Sequence, residues 1–129
     1  MYKERYNPYF NEALFFLHNP NVGGYANFDT NEIVHNPFNN FNKDQRKGIA
    51  INEGTRLFLN NHPMFNPSFN LTPYQQFVFR NYGNEQDKRN TIMGRYLSND
   101  NSIGIPSKDQ IDYGNYLRKV MDIYNEWYK

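Results

Sequence analysis

Apolar residues recur at helical spacing towards the C-terminal end of the chain. They follow one another at intervals of three or four positions, which is typical of one face of a helix: Tyr113, Leu117, Val120, Tyr124 and Trp127. Ser107, with Gln110 three residues later, forms a capping box, a pattern that marks the start of a helix. We therefore predict a last helix that begins after Ser107 and carries this stripe through Trp127.

A first helix is predicted near the N-terminus. Asn7 is a favourable N-cap, and Pro8 fits the first helical position. Asn19 and Pro20 should end the helix, because proline cannot continue it. Its predicted buried face consists of four apolar residues: Ala13, Leu14, Phe16 and Leu17.

Two helices are predicted in the middle of the chain, each with its own capping box. The second helix should begin near Asn42, with Gln45 reaching back, and end before Pro63. The third should follow Thr72 and end at Gly83.

A fourth helix should be capped by Asn84. Its apolar stripe consists of Ile92, Met93, Tyr96 and Leu97. We expect the following segment, residues 98–106, to be a polar, exposed loop.

A β-hairpin is predicted between the first two helices. Residues 25–28 and 32–35 alternate around Asp29, Thr30 and Asn31, a turn-rich tripeptide. No pattern indicates the third strand that would complete a small sheet. We therefore predict an α+β fold, mostly helical with about five helices and one hairpin, in a single domain over residues 1–129.

Charge and cysteine content narrow the range of functions. The formal net charge is +1 and there is no cysteine, which excludes disulfides, thiolate catalysis and cysteine-bound metals. The N-terminus is too polar for a signal peptide, and no apolar run is long enough to span a membrane. We expect a soluble protein made in a cytoplasm, without membrane association or cofactor.

The second predicted helix carries an incomplete zinc-peptidase pattern. Such peptidases place H-E-x-x-H on a helix, whereas this chain has Asn52 and Arg56 at the histidine positions around Glu53. Neither can replace an imidazole on zinc. We predict no metal, no catalytic residue and no enzymatic activity, and we interpret Glu53 and Arg56 as a polar pair on the helix surface. An inactive zincin-like fold that binds a peptide in its cleft stays an alternative.

Basic residues around the fourth helix form the best nucleic-acid candidate: Arg80, Lys88, Arg89 and Arg95. Cations bind phosphates and nearby tyrosine rings can stack on bases. Glu85 and Asp87 lie within the same stretch, and the near-neutral total charge argues against binding. We favour a solvated helix face.

Aromatic residues are unusually frequent, with 11 Tyr, 11 Phe and 1 Trp. Tyrosine and tryptophan are favoured at protein interfaces. The candidates at the two ends of the chain are Tyr2, Tyr6, Tyr9, Tyr124, Trp127 and Tyr128. Either they contact a protein partner, or the two ends of the chain pack together.

Four short motifs lie within residues 23–110: Val34-x-Asn36-Pro37-Phe38, Asn52-Glu53-x-x-Arg56-Leu57-Phe58, Leu71-Thr72-Pro73-x-Gln75 and Arg89-x-Thr91-Ile92-x-x-Arg95-x-Leu97-Ser98-x-Asp100. Through these motifs the segment resembles small, uncharacterised proteins encoded by tailed bacteriophages, often near virion structural genes. It implies a virion or assembly protein, found in the host cytoplasm or in the particle. A phage effector that binds a host protein is the alternative.

Overall fold

The computed structural model describes residues 1–127 and contains five α-helices and a three-stranded sheet over that range. The predicted α+β, mostly helical architecture is confirmed. Tyr128 lies outside the described residues.

The sheet is built on the predicted hairpin and has one additional strand. Strands β2 (Gly24–Asn27) and β3 (Glu32–His35) are antiparallel, with Gly24 opposite His35. Strand β1 (Lys3–Arg5) pairs in parallel with β3, so the strand order is β1-β3-β2. The sequence did not indicate β1, because its three charged residues show no apolar alternation.

Helix α1 (Phe10–His18) differs from the prediction in its start and in its buried face. Tyr9 is the N-cap, not Asn7, because the Glu12 carboxylate accepts the Tyr9 N–H at 2.7 Å. Of the predicted apolar face, Phe16 is fully buried, whereas Leu14 and Leu17 are exposed.

Helix α2 (Lys43–Asn61) lies between the sheet and the other helices. Its predicted capping box is confirmed, with the Gln45 N–H donating to Asn42 Oδ1 at 2.9 Å. Ala50 and Leu57 pack with residues of β2 and β3, whereas Phe58 and Leu59 belong to the larger core formed with the later helices.

Helix α3 (Pro73–Val78) begins after its predicted cap, Thr72, but ends five residues earlier than predicted. Phe79 is the C-cap and is fully buried, so the chain turns there to place this ring in the core. Gly83, the predicted end, has a positive φ of 64° in the turns that follow.

Helix α4 (Glu85–Leu97) is capped by Asn84, as predicted. It crosses α2 closely at Gly94, where an added Cβ would lie 2.7 Å from the Asn52 carbonyl oxygen. The absence of a side chain at Gly94 therefore sets how near the two helices can approach.

The segment 98–106 is not the fully exposed loop that was predicted. Asn101–Ile103 form a 3-10 turn, and Ile103 is buried. The Ile103 carbonyl accepts a hydrogen bond from Gln75 Nε2 at 3.3 Å, which joins this segment to α3.

Helix α5 (Lys108–Ile123) is capped by Ser107, as predicted, but does not continue through Trp127. Tyr124 is its C-cap, and Asn125 adopts a positive φ of 59° that turns the chain. Trp127 packs against the larger core from outside the helix. None of the helices in residues 1–127 combines the length and apolarity needed to cross a membrane.

Candidate functional site

Helix α1 buries a carboxylate on the side facing the sheet. Glu12 is 1% exposed, and Arg5 donates to both its oxygens, at 2.7 and 2.8 Å. Tyr25 donates its hydroxyl at 2.7 Å, and Asn27 donates at 3.3 Å. Burial acts to raise the pKa of Glu12, but the hydrogen bonds from these side chains and from Tyr9 outweigh it and lower the pKa to about 2.

Because Glu12 and Phe16 point inward, an apolar stripe points outward. Phe10, Leu14 and Leu17 follow the helical spacing i, i+4 and i+7 and are 81%, 40% and 60% exposed. Tyr9, at the N-cap, is also exposed. We call these four residues the α1 face. The sequence could not select this orientation, because the five consecutive apolar residues 13–17 cover more than one side of the helix.

Glu53 lies in a cleft between β2, α2 and α4, and the prediction of a surface pair is wrong. The carboxylate is buried, accepts from Arg56 Nη1 at 3.0 Å, and faces the backbone N–H of Ala26. The physical reason is that β2 lies against α2 and covers this side of the helix. Burial raises the pKa of Glu53, opposed by the Arg56 guanidinium.

The cleft has a volume of about 430 Å³ and holds a second cation, Arg95 of α4. Arg95 donates to Ser102 Oγ and to the Tyr82 hydroxyl, both at 2.9 Å. Within residues 1–127 no carboxylate forms an ion pair with Arg95. Its positive charge also acts to lower the pKa of Glu53.

The other three residues of the predicted basic patch bind separate partners. Arg80 Nη1 donates to the Phe77 carbonyl at 2.7 Å, and Lys88 pairs with Glu85 at 3.1 Å. Arg89 Nε donates to the Phe69 carbonyl at 2.8 Å. Of the four candidates, Arg95 is the one that lines the cleft.

The aromatic residues nearest the two ends of the chain meet in the structure. Tyr2 packs against both core clusters, and Trp127 packs against the larger one. The N-terminal amino group of Met1 donates to the Asn125 carbonyl, which joins the ends directly. Tyr124 packs against Phe58 and Phe65, and is partly exposed. This arrangement agrees with the alternative that the two ends pack together.

Tyr6 and Tyr9 are exposed at the surface and lie away from the contact between the two ends of the chain. Tyr6 stacks on the buried ring of His35 with 4.4 Å between ring centroids, and the Arg5 guanidinium lies 4.0 Å from the Tyr9 ring centroid. His35 Nε2 lies 2.7 Å from a Glu4 carboxylate oxygen. Burial lowers the pKa of His35, although Glu4 opposes the change.

Neither a metal cluster nor a known relative assigns chemistry to these features. Across residues 1–127, no three His, Asp or Glu side chains come together in a way that could hold a metal ion. No protein-family model matches the chain, and neither a curated protein nor a solved structure matches it. The function must therefore be inferred from the surfaces that the chain itself presents.

Proposed function

We propose that this protein works by binding another protein through the α1 face. One observation carries the proposal: α1 turns its charged residue inward and its apolar stripe outward. Glu12 is held there by five side-chain and backbone donor groups from four residues, so the helix is fixed in this orientation. Contiguous exposed apolar surface of this kind marks an interaction site.

The α1 face fits an apolar groove on the partner. A helix docked in a groove contributes anchors at i, i+4 and i+7, the spacing of Phe10, Leu14 and Leu17. From Tyr9 to Leu17 the only charged residue is the buried Glu12, so the partner's groove should be uncharged. Each anchor that becomes fully buried would contribute roughly 1.5–3 kcal/mol before the costs of association.

The partner we propose is a component of a tailed-phage particle or of its assembly, in keeping with the resemblance over residues 23–110. The protein would then reside in the particle or in the host cytoplasm during infection. The proposal requires no cofactor and no catalytic step. A phage effector that blocks a host protein would use the same α1 face and is the alternative.

Mass spectrometry on purified particles, with copy number per particle, separates these two roles. A minor virion component should be present at a fixed stoichiometry. Absence from particles, together with recovery of one host protein by the wild-type chain and not by a Phe10→Ser variant, would favour the effector.

A second candidate function, an inactive zincin-like fold that binds a peptide, is favoured by one specific observation. The hairpin lies beside α2, and Glu53 lies in the cleft between β2 and α2. The hypothesis requires the strand that ends at His35 to lie along one groove with the helix that carries Glu53. That strand, β3, packs against α2 through Ile33, whereas the wall of the cleft that holds Glu53 is lined by β2. His35 belongs to β3, the central strand, and is engaged by Glu4 and Tyr6.

A further inference from the structure

The cleft between β2, α2 and α4 is rich in hydrogen-bond donors. Arg56 uses Nη1 for Glu53, and its side chain is 32% exposed, so the rest of its guanidinium can reach a ligand. Arg95 enters the same cleft from α4 and lacks an anionic partner within the described chain. A guanidinium is a planar, permanently charged donor that matches a carboxylate.

Asn52 contributes a further donor to the cleft. Its Oδ1 is buried without a hydrogen-bond partner, at the point where α4 crosses α2 at Gly94. The amide oxygen therefore faces the helix crossing, and the amide nitrogen is the end that can face the cleft. Asn52 and Arg56 are four residues apart on α2 and hence lie on the same side of the helix.

The edge strand β2 lines the opposite wall. Asn36 N–H donates to the Gly23 carbonyl, so Gly23 and every second residue after it direct their backbone groups towards β3. Gly24 and Ala26 direct theirs away from the sheet. The Ala26 N–H faces the Glu53 carboxylate, and the Gly24 N–H points outward at the same wall.

Charge decides the class of ligand. Glu53 is already paired with Arg56, and Asp100, which also lines the cleft, accepts from the Ser102 N–H at 2.9 Å. Within residues 1–127 neither carboxylate forms an ion pair with Arg95, so its guanidinium can pair with an anionic ligand. Because the two carboxylates already offset the two guanidinium groups, a singly charged anion meets less repulsion in the cleft than a doubly charged phosphate does.

We propose that this cleft binds a carboxylate, held between the guanidinium groups of Arg56 and Arg95. The carboxylate belongs either to a small acid or to a peptide. The Gly24 N–H can serve a peptide as the first point of main-chain contact along β2. This site is separate from the α1 face, and neither proposal depends on the other.

The test is an NMR titration of the ¹⁵N-labelled full chain with three probes: N-acetylalanine, N-acetyl-tetra-alanine with a free C-terminus, and the same peptide with an amidated C-terminus. We expect saturable shifts at Gly24 N–H, the Asn52 side-chain amide and Arg95 Nε–H with the two acids. The amidated peptide should bind at least tenfold more weakly. Tighter binding of the peptide acid than of N-acetylalanine identifies a peptide ligand, and equal binding identifies a small acid.

The Arg95→Gln variant should lose at least tenfold in affinity for the acids. Arg80→Gln is the matched control, because Arg80 contacts Phe77 and does not line the cleft. Equal binding of acid and amide by the wild-type chain, or shifts confined to residues outside the cleft, would overturn the proposal. The comparison of acid and amide uses the wild-type chain alone, so it tests the proposed carboxylate site even if Arg95→Gln fails to fold. A Phe10→Ser variant should bind the acids unchanged.

Discussion

Glu12 is the residue that determines how α1 sits on the sheet. Three of the residues that donate to it belong to the sheet strands themselves, since Arg5 lies at the end of β1 and Tyr25 and Asn27 lie in β2. A buried carboxylate is tolerated only when its hydrogen-bonding capacity is met. The same contacts hold the apolar stripe of α1 outward, so the candidate interface depends on a polar cluster beneath it.

We predict that Glu12→Gln lowers the free energy of unfolding by roughly 3 kcal/mol at pH 7, because it removes the buried anion that binds Arg5 through two hydrogen bonds and leaves Arg5 with its longer contact to Glu32 at 3.2 Å. Glu85→Gln is the control, since Glu85 is exposed in its pair with Lys88 and should cost under about 0.5 kcal/mol. Urea denaturation of both variants checks this. Equally small losses in the free energy of unfolding for the two variants would show that the contacts of Glu12 do not hold α1 on the sheet.

The same residue should produce a pH dependence of stability. The folded pKa of Glu12, about 2, lies below its ordinary value of 4.5, so its contribution to stability is complete above pH 4.5 and is lost as the pH falls towards 2. The loss amounts to roughly 3 kcal/mol. The difference in the free energy of unfolding between wild type and Glu12→Gln, measured by denaturation across this pH range, should decrease as the pH falls. A difference that stays constant with pH would contradict the assignment.

The contribution of Glu53 to stability should depend on pH in the opposite direction. Burial raises its folded pKa above the unfolded value, so its protonated form favours folding at low pH and that advantage is lost as the pH rises through the folded pKa. Glu53→Gln should therefore gain stability relative to wild type as the pH rises from 4 to 8. Glu53→Ala should cost roughly 2–4 kcal/mol in the free energy of unfolding, because it leaves a cavity and removes the acceptor of the Arg56 hydrogen bond. Thermal unfolding of both variants and of wild type at pH 4 and pH 8 measures the pH-dependent gain of Glu53→Gln and the loss of Glu53→Ala.

At the scale of elements, the close crossing of α2 and α4 fixes the cleft. We predict that Gly94→Ala destabilises the protein by roughly 1–3 kcal/mol, since the new Cβ would meet the backbone of Asn52, which cannot move aside without shifting α2. Gly48→Ala on α2 is the matched control: nothing lies within 4 Å of its added Cβ, so it should gain up to about 1 kcal/mol from helix propensity. If chemical denaturation shows that Gly94→Ala is as stable as wild type, the two helices cross less closely than the structure indicates.

The elements also show what could be predicted from the sequence. The caps at Asn42, Thr72, Asn84 and Ser107 were correct, because a capping box joins residues only three positions apart. Strand β1 was missed because its pairing with β3 depends on residues about 29 positions away. The cleft was missed because Glu53 and Arg56 resemble a surface pair until β2 is placed against α2.

At the scale of the whole molecule, the two ends of the chain meet, while the α1 face and the cleft remain open. The Tyr2 and Trp127 rings are partly buried and pack against the core. The proposed interface therefore contains fewer aromatic residues than the sequence analysis suggested, and it lies on α1. This predicts that loss of one exposed ring on α1 removes partner binding without affecting the fold.

The most direct measurement is the copy number of this chain in purified particles for wild type, Phe10→Ser and Phe77→Ser. Phe77 is a matched control, because it is also an exposed helical phenylalanine and lies on α3. We predict that wild type and Phe77→Ser are incorporated equally, in a symmetric multiple, and that Phe10→Ser is depleted at least tenfold while retaining its circular dichroism spectrum. Equal incorporation of Phe10→Ser would contradict binding through the α1 face, and absence of the wild-type chain from particles would contradict the virion role.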